Sequence, residues 1–145
     1  MTRALVWIVE ETWEATVAAA ATYVPATAEI TLLHVAPIQA ETVLMGARHG
    51  LLGRHHPQQD TSVRRISEAS AQQLLADART LLGRDATRLA RRGNVAREVL
   101  SAAGGFDVLV CARDGDRGQH GPHSLGPATR QVVDHAACAV LLVWP

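Results

Sequence analysis

Apolar residues along this chain switch between two rhythms. Leu5-Val6-Trp7-Ile8-Val9 is an unbroken apolar run closed by Glu10 and Glu11. Such a run predicts a strand buried on both faces. Trp13, Val17, Ala20, Ala21 and Val24 then recur at helical spacing. Thr12 is placed to cap that helix, Glu14 suits its positive N-terminal end, and Pro25 ends it. Ile30 to Val35 is a second buried-strand run, stopped by Pro37.

Between Ile38 and about Ser62 the rhythm is lost. Gly46, Gly50, Gly53 and Pro57 punctuate a stretch with short apolar pairs at Val43-Leu44 and Leu51-Leu52, which predict at most a short helix inside a long loop. Helical spacing returns at Val63, Ile66, Ser70, Leu74, Leu75, Ala78 and Leu81, with Gly83 as the stop. Asp85 to Arg92 alternates weakly and carries three arginines, which fits an edge strand. Asn94 is placed to cap a helix burying Val95, Val99 and Ala102, closed by Gly104-Gly105. Phe106 to Cys111 is a third buried strand. A glycine-rich loop runs from Gly115 to Gly126. A last helix starts near Pro127 and buries Val132, Val133 and Ala136 before a final strand from Ala139 to Trp144.

Strands alternating with helices predict an α/β domain: a five-stranded, mostly parallel, doubly wound sheet with helices on both faces. The whole chain, 1–145, reads as one such domain with a long loop insertion at about 38–62. Ligands in these sheets bind beyond the carboxyl ends of the strands, where strand order reverses.

Composition sharpens this in three ways. Apolar residues make up 48% and aromatics 3%, so the core is built from Ala, Val, Leu and Ile. Fourteen basic residues balance fourteen acidic ones, which gives no global attraction to nucleic acid or to a membrane surface. No stretch approaches the roughly 20 apolar residues of a membrane span, and the run Ala4 to Val9 is too short for a signal-peptide core. Two cysteines, Cys111 and Cys138, do not make a disulfide framework, so the expectation is a cytoplasmic protein with reduced thiols.

Several segments, in their order and spacing, resemble the universal stress protein family. They are Leu5 to Thr12, the His34-Val35 end of the second strand, Gly93-Asn94-Val95-Ala96, Phe106 to Cys111, and the tail Val132 to Val143. The resemblance covers nearly all the chain outside 38–62. It implies a small stress-response protein, a homodimer through its last strand, in a family with an ATP-binding branch and a branch without ATP. The binding branch has an Asp after its first strand and a loop reading Gly, two residues, Gly, nine residues, Gly, then Ser or Thr. Glycines let backbone N–H groups approach phosphates at a helix N-terminus, and the hydroxyl adds a donor.

Carried onto this chain, the resemblance implies an adenosine pocket around Val9, Glu10, Val35 and Cys111, and a phosphate loop at Ala112, Arg113, Gly115, Gly126, Pro127 and Ala128. Four departures weaken the phosphate end. Glu10 stands in place of Asp, and Ala112 in place of the first Gly. The Gly115–Gly126 spacing is one residue too long, and Pro127 replaces the hydroxyl residue. Each lost hydrogen bond to a charged oxygen costs about 1.5–3 kcal/mol, so two losses weaken binding roughly 100-fold or more. Arg113 and Arg117 offer new phosphate contacts, and Thr129 a substitute hydroxyl.

The implied ligand is ATP or AMP, with AMP losing less, and no metal is expected beyond a nucleotide-bound Mg. Two functions stand side by side: a regulatory protein binding an adenine nucleotide weakly, at most a weak ATPase, and a nucleotide-free dimeric interaction module. The dimer interface is expected at Val140, Leu141, Leu142, Val143 and Trp144, an apolar edge strand. His55, His56, His120 and His123 read as solvated loop residues rather than metal ligands, since no carboxylate or thiol completes a set. Cys111 reads as an inert buried thiol. No catalytic residues are assigned.

Overall fold

The computed structural model describes residues 1–38, 57–115 and 122–145, with the side chains of 57–64 and 122 left aside. Its five strands are β1 (Arg3–Trp7), β2 (Glu29–Pro37), β3 (Thr87–Gly93), β4 (Val108–Ala112) and β5 (Ala139–Val143). They form one sheet in the order β3-β2-β1-β4-β5, and every neighbouring pair is parallel. The helices are α1 (Trp13–Tyr23), α2 (Pro57–Leu82), α3 (Val95–Ala103) and α4 (Pro127–His135).

Side chains that alternate along each strand divide the core in two. Ala4, Val6, Ile8, Ile30, Leu32 and Val110 pack beneath α1 and α2, against Val17, Ala20, Leu75 and Ala78. Leu5, Trp7, Leu33, Val35, Leu109 and Cys111 pack beneath α3 and α4, against Ala96, Val99, Ala102 and Val132. A strand buried on both faces cannot show polar alternation, which is why β1, β2 and β4 read as continuous apolar runs.

Local signals hold in several places. Asn94 caps α3, its side chain accepting the Arg97 amide at 3.1 Å. Gly83 ends α2 at φ 72°, a left-handed conformation natural to glycine. His135 Nδ1 donates to the Gln131 carbonyl at 2.9 Å, at the C-terminal end of α4.

Other expectations need correction. β1 stops at Trp7, although Ile8 stays fully buried and donates its amide to the Leu33 carbonyl at 2.7 Å. Thr12 precedes α1 without a side-chain cap, and Ala21 is exposed while Thr16 and Ala19 are buried. α2 begins at Pro57, so the expected loop ends several residues before Ser62. Its buried stripe is Ala71, Leu75, Ala78 and Leu82, whereas Ile66, Ser70 and Leu81 face outward. On α4 it is Thr129 and Val132 that are buried; Val133 and Ala136 are only half-buried. The helix proposed at Val43-Leu44 and Leu51-Leu52, with His55 and His56, lies outside the described residues.

Candidate functional site

From β1 the chain winds outward through β2 to β3, then crosses back to place β4 on the other side of β1. Strand order therefore reverses between β1 and β4. The strand ends that flank this reversal, where a crevice is expected, are Ile8, Val9 and Glu10 after β1 and Ala112 and Arg113 at the end of β4.

On the β1 side, Glu10 is engaged. Its Oε1 accepts a hydrogen bond from His34 Nε2 at 2.9 Å. That bond, with the charge of the imidazole a smaller influence, holds the Glu10 carboxyl below its ordinary value despite partial burial. His34 is buried at the far end of β2, and its Nδ1 has no partner. Val35, beside it, is part of the core under α3 and α4, as is Cys111 of β4. Cys111 is 1% exposed, and burial is the main reason its thiol is pushed up to about 12.

The β4 side is a closed knot of polar contacts. The Arg113 amide donates to the Val143 carbonyl at 2.8 Å, which continues the β4–β5 pairing by one residue. Arg113 Nη1 donates to the Ser124 hydroxyl at 2.8 Å, and its guanidinium lies 5.1 Å from the centre of the Trp144 ring. The Gly115 amide donates to the Ser124 carbonyl at 3.2 Å. A Cβ on Gly115 would collide with the His123 carbonyl, so only glycine lets the two ends of the loop meet here.

At the start of α4 the acceptor is Asp114. Its Oδ1 accepts the Gly126 amide at 2.6 Å, and its Oδ2 accepts the Thr129 hydroxyl at 2.9 Å. Thr129 is 2% exposed, so its donor is directed inward and satisfied. A carboxylate suits this position because the first turn of a helix carries unpaired N–H groups and partial positive charge. Asp114 was not among the residues singled out in the sequence; Arg113 and Thr129 were, and both are occupied by contacts within the chain. Arg117, His120 and the loop glycines 118 and 121 lie outside the described residues.

Beside this knot is a cleft of about 470 Å³, lined by Pro37, Ile38, Gly93, Asn94, Val95, Ala96, Pro127, Ala128 and Gln131. The first residues of α3 and α4 face each other across it. Of the candidate binding residues, Pro127 and Ala128 line this cleft; Val9, Glu10, Val35, Cys111, Ala112, Arg113, Gly115 and Gly126 do not.

At the sheet edge, Val140, Leu141, Leu142 and Val143 of β5 are half-buried and Trp144 is 42% exposed. Among the described residues, no three His, Cys, Asp or Glu side chains gather in a way that could hold a metal ion, and no helix is long and apolar enough to cross a membrane.

No protein-family model matches the sequence, and no curated protein does. Solved structures match the fold. The hypothetical protein MJ0577 superposes with a TM-score of 0.76 at 16% identity, covering 99% of this chain and 96% of that one. The universal stress protein UspA from Lactobacillus plantarum gives 0.60 at 19%, covering 97% and 96%. A universal stress protein in complex with cAMP gives 0.62 at 14%, covering 99% and 96%. Identities this low speak to architecture, and in architecture the agreement extends over nearly the whole of each chain: this protein has the universal stress protein fold.

Proposed function

We propose that this chain is a stress-response regulatory protein of the universal stress protein type, which binds an adenine nucleotide weakly and with little turnover. The observation that carries the reading is the open 470 Å³ cleft beside the strand-order reversal, walled by the first residues of two helices. The cAMP complex of a protein with the same fold supports an adenine ligand of low phosphate content. No described nucleophile, base and orienting group come together as catalysis would need. Cys111, the one buried thiol beside the crevice, is held protonated.

A triphosphate fits these residues poorly. The start of α4, where its charge would be neutralised, already holds the Asp114 carboxylate, and Pro127 brings no amide hydrogen. Adenosine or AMP is therefore the better ligand, and no step is assigned to a bound Mg. Thermal-shift titration with adenosine, AMP, ADP and ATP tests this. A melting temperature that rises with adenosine or AMP concentration supports the reading; no shift with any of the four at millimolar concentration removes it.

The nucleotide-free module has its own supporting observation, the same occupied helix N-terminus. In both readings β5 serves as an isologous dimer edge, Val140 to Trp144 pairing with its two-fold mate. Ala139 and Val143 exchange backbone bonds with the β4 side, so Val140 and Leu142 present their backbone groups outward.

A further inference from the structure

We propose that Asp114 is an internal substitute for phosphate, and that it sets which ligands the crevice accepts by excluding polyphosphate from the start of α4. The inference deepens the nucleotide reading, because it names the residue that would decide between adenosine-like and triphosphate ligands.

Three observations converge on it. First, the carboxylate takes two donors at that helix start, the Gly126 amide at 2.6 Å and the buried Thr129 hydroxyl at 2.9 Å. Those are the kinds of donor an anionic ligand oxygen would need. Second, the fit depends on glycine. A Cβ on Gly126 would stand 2.8 Å from Asp114 Oδ2 and 3.1 Å from its carboxyl carbon, so the bare Cα is what admits the carboxylate. Gly126 has φ −66°, ordinary for any residue, so space rather than backbone conformation is what glycine supplies. Third, the neighbouring cation is turned away: Arg113 binds Ser124 and lies over Trp144, at the β5 side of the loop.

A phosphate entering this seat would displace Asp114 from both donors or lie against its charge. Asp114 is exposed and so is its contact with Gly126, so solvent screens part of this repulsion, but at contact distance like charges still repel. An uncharged nucleoside meets no such penalty in the cleft beside Pro127 and Ala128. Gly126, which reads as part of a damaged phosphate loop, is on this account shaped for a carboxylate.

The test uses Asp114→Ala and Asp114→Asn in the full chain, with inorganic tripolyphosphate, adenosine, AMP and ATP as separate probes in thermal-shift and calorimetric titrations. Asn keeps one acceptor oxygen for Gly126 and removes the charge, so it serves if the Ala variant does not fold. The expected result is a gain in affinity for tripolyphosphate and for ATP of about tenfold or more in the variants, with adenosine unchanged within about twofold. Equal tripolyphosphate and ATP affinities in wild type and variants would overturn the proposal. The tripolyphosphate arm stands apart from the nucleoside pocket. If adenosine and AMP shift no protein while tripolyphosphate shifts only the variants, the nucleotide reading fails and the role of Asp114 stands. If adenosine or AMP binds and the variants gain nothing, the reverse holds.

Discussion

The Gly126 amide donates to Asp114 Oδ1 at 2.6 Å, joining the residue that ends the loop to one 12 positions earlier. It does so at the N-terminus of α4, where an unoccupied helix end would attract an anion from solution. The loop thus closes on a charge of its own, and stability and ligand choice are set by the same contact.

That contact predicts a coupling. Gly126→Ala places a methyl against Asp114 and is expected to destabilise the fold by about 1–2 kcal/mol, the range of a lost helix cap. In an Asp114→Ala background the same change has no carboxylate to meet and is expected to cost little. Urea unfolding of the two single variants and the double variant measures the coupling. Additive losses would show that the two residues do not meet in solution.

Glu10 and His34 predict a pH dependence. A carboxyl whose folded value is depressed stabilises the fold fully above its ordinary value of 4.5, and that contribution is lost as pH falls through the lowered value. The Glu10 side chain is 64% exposed, so solvent screens the pair and the effect stays under about 1 kcal/mol. Wild type is expected to be more stable than Glu10→Gln at pH 6, with the difference shrinking below pH 4.5. A difference that grows on acidification would contradict the pairing.

The thiols differ in access. Cys111 is buried and its thiol is pushed up to about 12, while Cys138 is half-buried with its thiol raised less far, again mainly by burial. With a thiol reagent at pH 8, native protein is expected to give at most one equivalent readily, and the second only on unfolding. Two fast equivalents in the native state would place Cys111 at the surface.

Edge pairing through β5 predicts a dimer at micromolar concentration by sedimentation velocity. Leu142→Pro removes an amide that faces the open edge, and it is expected to weaken self-association by about tenfold or more while β4–β5 pairing persists. A wild-type monomer under those conditions would remove the interface.

Much of the fold was legible in the sequence because buried parallel strands leave apolar runs and because Asn94, Gly83 and Pro127 mark helix ends locally. α2 was underestimated at its start because residues 57–62, Pro-Gln-Gln-Asp-Thr-Ser, offer no apolar stripe, although Pro suits a first turn. Its phase was misjudged because Ile66 and Leu81 are apolar yet face outward, and composition does not fix which way a helix is turned. The site was legible only in outline. Arg113 and Thr129 stood out as phosphate partners by residue type, but their partners, Ser124 and Asp114, are set by how the loop closes in space. Asp114 itself carried one signal, an acidic residue immediately before Gly115, as Asp116 is immediately after it, in a loop otherwise rich in Gly, Arg and His. A charge opposite to that of a phosphate-binding loop was the clue.

Calorimetric titration of the wild-type protein with adenosine and with ATP is the most direct measurement. With Asp114 seated at α4, ATP is expected to bind no more tightly than adenosine, since its added phosphates meet the Asp114 charge and find the Gly126 amide and Thr129 hydroxyl taken. ATP binding tighter by about tenfold or more would mean that the phosphates reach those donors after all, and would contradict the account.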